Sequence, residues 1–215
     1  MIGQLLDLLG EWSKSVMMTA GYPGLVLIMI IENVFPPIPS EIVLPLAGFL
    51  AQSGDAGFSF PLVVSAGGLG SVIGALILYW FGAWAREHGG RRVVLAVGRY
   101  AFLTSDDLDK AEAWFARYQG AAVFTGRFVP IVRSIVSIPA GYNAMPLIPF
   151  ITLTAVGTTI WCGILAGAGW FLGENWTLVR KVLSNYEYAV VGMGAAAVLA
   201  FVVWKVRVRV AGGRG

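Results

Sequence analysis

Charge is what this sequence has least of. Only 13% of its 215 residues are Asp, Glu, Lys or Arg, against about 25% in a soluble globular domain. With 57% hydrophobic residues and a mean hydropathy of +0.75, the chain reads as an integral membrane protein forming one membrane domain. A single cysteine, Cys162, excludes a disulfide framework and a cysteine metal site. A single histidine, His88, leaves almost no material for zinc or for imidazole acid–base catalysis. No metal, cofactor or enzymatic activity is therefore expected. The basic balance, with a pI near 9.2, does not point to nucleic acid, because the Lys and Arg residues flank apolar runs and so orient them in a bilayer.

What remains is organised by long apolar stretches. Three are long enough to cross a membrane, which takes roughly 20 apolar residues: residues 60–84, 148–172 and 188–204. Residues 1–20 lack the basic start of a signal peptide and carry Asp7 and Glu11. Their Leu5, Leu8, Leu9, Trp12 and Val16 recur at helical spacing, the pattern of a helix lying in the membrane interface.

Two further apolar regions, 22–51 and 121–145, are interrupted by prolines and charges. Proline removes a backbone donor and clashes with the preceding turn, so a continuous helix is not expected through either. Broken backbone survives at membrane depth only inside protein or beside a wet cavity. Both regions are read as re-entrant hairpins. The polar connector between them, 85–119, is expected to hold a surface helix capped by Ser105, with Leu108, Ala111, Phe115 and Tyr118 on one face and Gly120 at its end. Its Arg86, Arg91, Arg92, Arg99, Lys110 and Arg117, like Lys205, Arg207 and Arg209 after the last span, place connector and C-terminus in the cytoplasm. Arg180 and Lys181 in the 173–187 loop run against that rule.

The two broken regions are related. Phe35-Pro-Pro-Ile-Pro-Ser-Glu-Ile-Val-Leu-Pro-Leu-Ala-Gly48 matches Phe128-Val-Pro-Ile-Val-Arg-Ser-Ile-Val-Ser-Ile-Pro-Ala-Gly141 at 7 of 14 positions, at a constant spacing of 93. The same spacing pairs Gly70 with Gly163 and Gly74 with Gly167. Each repeat (22–84 and 121–172) is a hairpin plus a span. A hairpin stays on its side and a span changes sides, so the repeats must be inverted, with their tips meeting near the midplane as in secondary transporters. The expected fold is thus all-α: an inverted repeat of re-entrant hairpin and transmembrane helix, with an interfacial helix before it and a last transmembrane helix after it.

The tips carry opposite charge. Glu32 and Glu41 lie on the first, Arg127 and Arg133 on the second. An unpaired charge at a helix centre costs about 2.5–3.5 kcal/mol on insertion scales, so these four are expected to pair or to line a cavity. The arginine fork suits bidentate phosphate binding, which makes Arg127 and Arg133 candidate head-group ligands. Carboxylates between burial and arginine are suited to proton exchange, the role read for Glu32 and Glu41. Pro37, Pro39, Pro130 and Pro139 break the helices, and Gly48 and Gly141 permit close backbone approach. Asn33, Ser40, Ser134 and Ser137 are read as partners for backbone groups that the breaks set free.

These paired motifs, Glu32-Asn-Val-Phe-Pro-Pro-Ile-Pro-Ser-Glu41 and Gly126-Arg-Phe-Val-Pro-Ile-Val-Arg133 with Pro139-Ala-Gly141, Met145 and Phe150, resemble the DedA family, which includes the VTT-domain proteins of eukaryotes. The resemblance covers about residues 20–175. It implies a bacterial inner-membrane protein of a group associated with lipid translocation, with undecaprenyl phosphate or a glycerophospholipid as substrate and proton-motive force as drive. It maps the family's important acids and arginines onto Glu32, Glu41, Arg127 and Arg133. Ala75 departs from the acidic or polar residue many members carry there. The expected function is proton-coupled movement of a phosphate-bearing lipid. The alternatives are an uncoupled scramblase or a membrane assembly factor, and a homo-oligomer is left open.

Overall fold

The computed structural model describes residues 2–35, 40–54, 57–92, 105–130 and 132–172, with isolated positions 192, 199 and 203. Pro37, Pro39 and nearly all of the 188–204 segment lie outside the described residues, as does the 173–187 loop. All regular structure among the described residues is helical: α1 (Ile2–Val34), α2 (Ser40–Ser53), α3 (Phe60–Glu87), α4 (Ser105–Gly126), α5 (Val132–Ile135), α6 (Ser137–Tyr142) and α7 (Leu147–Leu172).

Among the described residues three helices are long and apolar enough to cross a membrane: Gly10–Val34, Phe60–Glu87 and Leu147–Leu172. The second and third are the expected spans. The first is not one straight rod. Gly21 has φ 61° and ψ −139°, a conformation closed to residues with a Cβ. The chain doubles back there, because a Cβ on Gly24 would lie 2.7 Å from the carbonyl oxygen of Val16. Pro23 follows in the first turn of the second half, where no intrahelical donor is lost. That half, residues 22–34, rises about 20 Å at 1.5 Å per residue, short of a hydrocarbon core of roughly 30 Å. In residues 10–20 the buried face is Ser13 and Met17, while Trp12 is 42% exposed. The Trp12 side, read from the sequence as facing the membrane interface, is left uncovered by protein.

α3 is the hub. Its Gly70 lies under the Val26 carbonyl and Met29 of α1, Gly74 against Asn33, and Gly67 against Leu44 of α2 and Cys162 of α7. Small residues at these positions let helices approach where lipid supplies no hydrophobic drive for association. Two crossings are closer still. A Cβ on Gly48 would fall on the Ala166 carbonyl and one on Gly169 on the Pro45 carbonyl, which locks α2 to α7. In the same way Gly141 meets the Tyr79 carbonyl and Gly82 the Ile138 carbonyl, which locks α6 to α3. Gly48 and Pro45 stand 93 residues from Gly141 and Ile138, as the sequence repeat requires. Ala166 and Gly169, however, stand 87 residues from Tyr79 and Gly82.

The glycine pairing expected between the spans is thus corrected by six residues. Gly163 has nothing within 4 Å of a built Cβ and Gly167 meets only Phe60, at 4.0 Å, whereas Gly70 and Gly74 are tightly packed. Helix α4 also differs from expectation. It continues through Gly120 to Gly126 and bends at Tyr118 (φ −117°, ψ 15°) instead of ending. Of its expected face, Phe115 is buried but Ala111 and Tyr118 are exposed. Arg91, beyond α3, pairs with Asp109 at 2.6 Å and Glu112 at 3.4 Å and so ties the two elements together at the surface.

Candidate functional site

The second tip shows how a helix is broken without orphaning its backbone. After Gly126 the amides of Arg127, Phe128 and Val129 donate to carbonyls three residues back, at 3.1–3.2 Å. Pro130 ends that run, and its carbonyl accepts from Val132 at 2.7 Å. α5 and α6 then rebuild short helix, with Pro139 in the first turn of α6, where its missing N–H costs nothing.

This path carries Arg133 to the first tip. Arg133 and Glu32 are 7% and 2% exposed, and Arg133 Nη2 donates to Glu32 Oε1 in a buried ion pair between residues 101 apart in sequence. Glu41, 6% exposed, lies in electrostatic reach of both, and its Oε2 accepts from Ser40 Oγ at 3.4 Å. Glu32 Oε2 and Glu41 Oε1 are buried with no hydrogen-bond partner. Two carboxylates thus share one arginine and keep one free oxygen each. Cys162 of α7 and Ser71 of α3 adjoin this group, and Asn33 Nδ2 bonds the Ser71 carbonyl at 3.2 Å.

Arg127 is placed differently. It is 1% exposed and touches no carboxylate; Nη1 donates to the Arg133 carbonyl at 2.6 Å, and Nη2 donates to Ser137 Oγ at 3.1 Å and Thr154 Oγ1 at 2.9 Å. Its guanidinium stands 5.7 Å from the Phe150 ring centroid, a cation–π contact, and Gly157 leaves room for its stem. Only Nε lacks a partner. Arg127 therefore fixes the backbone from which Arg133 projects.

The structure brings Glu32, Glu41 and Arg133 together, with Arg127 one step behind. Asn33 bonds a carbonyl inside the unbroken helix α3, not one set free by a break, and Ser40 and Ser137 bond the side chains of Glu41 and Arg127. Ser134 and Pro130 are buried at the second tip. Thr154, Ser71 and Phe150 complete the surroundings, and sequence reasoning assigned none of them a place in the site. Thr154 and Thr158, polar and one helical turn apart in an apolar span, were the available signal.

Apolar spans packed through glycine, with a buried ion pair joining two interrupted segments, define a multi-pass helical membrane protein. The VTT domain model matches residues 38–171, and the chain belongs to that family, the DedA proteins. The match contains Glu41, Arg127 and Arg133 and begins just after Glu32. The chain is 31% identical over 206 residues to undecaprenyl phosphate transporter A of Bacillus subtilis (strain 168), covering 96% of this chain and 97% of that protein. It is 33% identical over 167 residues to the protein of the same name in Staphylococcus aureus (strain NCTC 8325 / PS 47), covering 78% and 81%. It is also 38% identical over 179 residues, 83% of each chain, to an alkaline phosphatase-like protein of Lactococcus lactis subsp. cremoris (strain MG1363). No solved structure matches. With its apolar helices and these relatives, the chain is a multi-pass bacterial membrane protein in a family with a membrane lipid-carrier transport role.

Proposed function

We propose that this protein moves a phosphate-bearing lipid, undecaprenyl phosphate or a glycerophospholipid, across the bacterial inner membrane and couples that movement to protons. One observation carries the reading: a buried arginine held by one of two carboxylates, each with a free oxygen, where the two interrupted segments meet. A phosphate reaching Arg133 competes with Glu32 for the same fork. Once displaced, Glu32 is a buried carboxylate without a counter-charge, which favours taking up a proton. Glu41 is the second acceptor. Arg127 holds the Arg133 backbone in place, and its unpartnered Nε offers the phosphate a second donor. Substrate and proton are linked because both act on the one ion pair.

In this proposal residues 22–51 and 121–145 are re-entrant hairpins of opposite orientation, with the C-terminus cytoplasmic. The support is the 13-residue limb ending at Val34 and the matched crossings of α2 on α7 and α6 on α3. The relatives named alkaline phosphatase-like raise phosphoester hydrolysis as the other reading. It finds less support here, because His88 is exposed at the end of α3, stacked on Trp84 at 4.7 Å, and no histidine stands at either tip.

The test is reconstitution into liposomes with labelled undecaprenyl phosphate or phosphatidylethanolamine, with and without a pH gradient. Movement accelerated by the gradient is expected. Movement indifferent to it identifies an uncoupled scramblase, and movement of neither lipid refutes the substrate class.

A further inference from the structure

The outer face of the first repeat carries an apolar groove of about 600 Å³ between α1 and α3. Val26, Leu27 and Ile30 form one wall and Leu62, Ala66 and Leu69 the other, with no charged residue in the lining. We propose that this groove holds one hydrocarbon tail of the carried lipid and leads its phosphate to the buried Glu32–Arg133 pair. The identity of the head group rests on the transport reading above; the tail site rests on the following geometry.

The groove has a polar mouth, and just beyond its apolar inner end stands the polar cluster. At the mouth Tyr22 lines the wall, and its hydroxyl accepts from the Ser59 amide at 2.7 Å and donates to the Gly57 carbonyl at 3.3 Å. An aromatic ring with its hydroxyl bonded to loop backbone is the usual marker of a membrane–water boundary. At the inner end Ile30 precedes Glu32 by two residues and Leu69 precedes Ser71 by two. Asn33 and Ser71 are hydrogen-bonded to one another, so the two walls close at the ion-pair cluster. From Tyr22 to Ile30 the groove runs about 12 Å at 1.5 Å per residue.

The floor is the close approach of the helices at Gly70, while Leu27, Leu62 and Leu69, each more than half exposed, form the open rims. Bilayer lipid is as apolar as leucine, so a tail gains little transfer free energy by entering. What it gains is dispersion contact on two walls and a fixed direction. A tail lying in the groove has its head group at one of two ends, the boundary or the cluster. The groove therefore acts as a guide, and its chemistry selects a lipid over a free phosphate ion.

The experiment uses the full-length protein in nanodiscs with a polyprenyl phosphate that carries a photoreactive diazirine in its tail. A polyprenol of the same length, with the same group but no phosphate, serves as comparison. The tail site is supported if the polyprenyl phosphate labels Leu62, Ala66 or Leu69 well above Trp80, Ile148 and Phe171 on other exposed faces, and if unlabelled polyprenyl phosphate suppresses that labelling. Even labelling of all exposed faces, or equal labelling by the phosphate-free polyprenol, overturns it. A second arm fills the groove with Ala66→Phe and Leu69→Trp. Long-chain polyprenyl phosphate transport should fall about tenfold or more through lost alignment, while a short-chain geranyl phosphate still competes for the site. If the filled variant carries the long chain at the wild-type rate, the groove is refuted and the transport reading stands. If wild-type protein moves neither lipid, the transport reading fails while the labelling still decides the groove.

Discussion

Replacing Arg133 with glutamine should injure the protein far more than replacing Glu32 with glutamine. Glu32→Gln keeps the size of the side chain, and Arg133→Gln shortens it by about two heavy atoms, a cavity contribution of about 1 kcal/mol or less. What changes is the charge balance of a site where Glu32 is 2% exposed and Arg133 7%. Breaking a buried pair by removing one partner costs about 3–5 kcal/mol, mostly because the survivor stays buried and uncompensated. After Arg133→Gln the survivors are two buried carboxylates, Glu32 and Glu41, without the arginine that stood beside them. After Glu32→Gln the survivor is Arg133, which keeps Glu41 within electrostatic reach.

The first loss should therefore reach the full range and the second fall clearly below it. For a chain of this size 1 kcal/mol shifts the melting temperature by roughly 2–4 °C, so Arg133→Gln should lower it by about 6–20 °C. Thermal unfolding of the purified variants in detergent measures both, and the double variant Glu32→Gln/Arg133→Gln closes the cycle. It should be more stable than Arg133→Gln alone, because only one carboxylate remains. Added salt should change little, since a buried pair is poorly screened. If Arg133→Gln melts within about 2 °C of wild type, or the two losses simply add, the ion pair does not organise the tips.

Other consequences follow from the same contacts. Glu32→Gln should still move a phosphate-bearing lipid in liposomes while losing its response to a pH gradient; undiminished coupling would remove Glu32 from proton handling. Arg127→Lys cannot reach the Arg133 carbonyl, Ser137 and Thr154 together. It should cost about 1.5–3 kcal/mol, and hydrogen exchange should show residues 128–136 opening first. Gly48→Ala and Gly141→Ala should each destabilise by about 1–3 kcal/mol through overpacking on a carbonyl, whereas Gly163→Ala should be neutral on melting, having no neighbour within 4 Å. Cysteines placed at Gly54 and Lys110 in a Cys162→Ala background should label from opposite sides of the membrane, and same-side labelling would refute the proposed topology.

How much of this was readable in advance depended on what each residue's type reveals by itself. Prolines and charges inside apolar runs cannot be ignored by any fold, so the broken segments and the four charged residues stood out. Opposite signs at related positions then implied their meeting, and the Glu32–Arg133 pair is that meeting. The division of labour between the two arginines was not readable. Arg127 and Arg133 are the same residue type, and only the structure shows one spent on a carbonyl and two hydroxyls while the other faces the acids.

Glycines misled for a related reason. A glycine in an apolar helix states that something comes close, but not what or at which register. Matching Gly70 with Gly163 was therefore sound as pattern and wrong as packing. The crossings at Gly48 and Gly141 kept the spacing of 93 because both glycines follow closely on proline-marked breaks, which fix the register. The spans carry no such marker, and six residues of slippage along a featureless helix alter nothing in the sequence pattern. Gly21 illustrates the converse. It lies between Ala20 and Tyr22 with nothing polar to flag it, yet its backbone angles turn the chain back on itself. That one reversal divides a 25-residue apolar stretch, and the 13-residue limb after it carries Glu32 to Arg133. The most consequential turn in the first repeat is made by a residue whose only property is having no side chain.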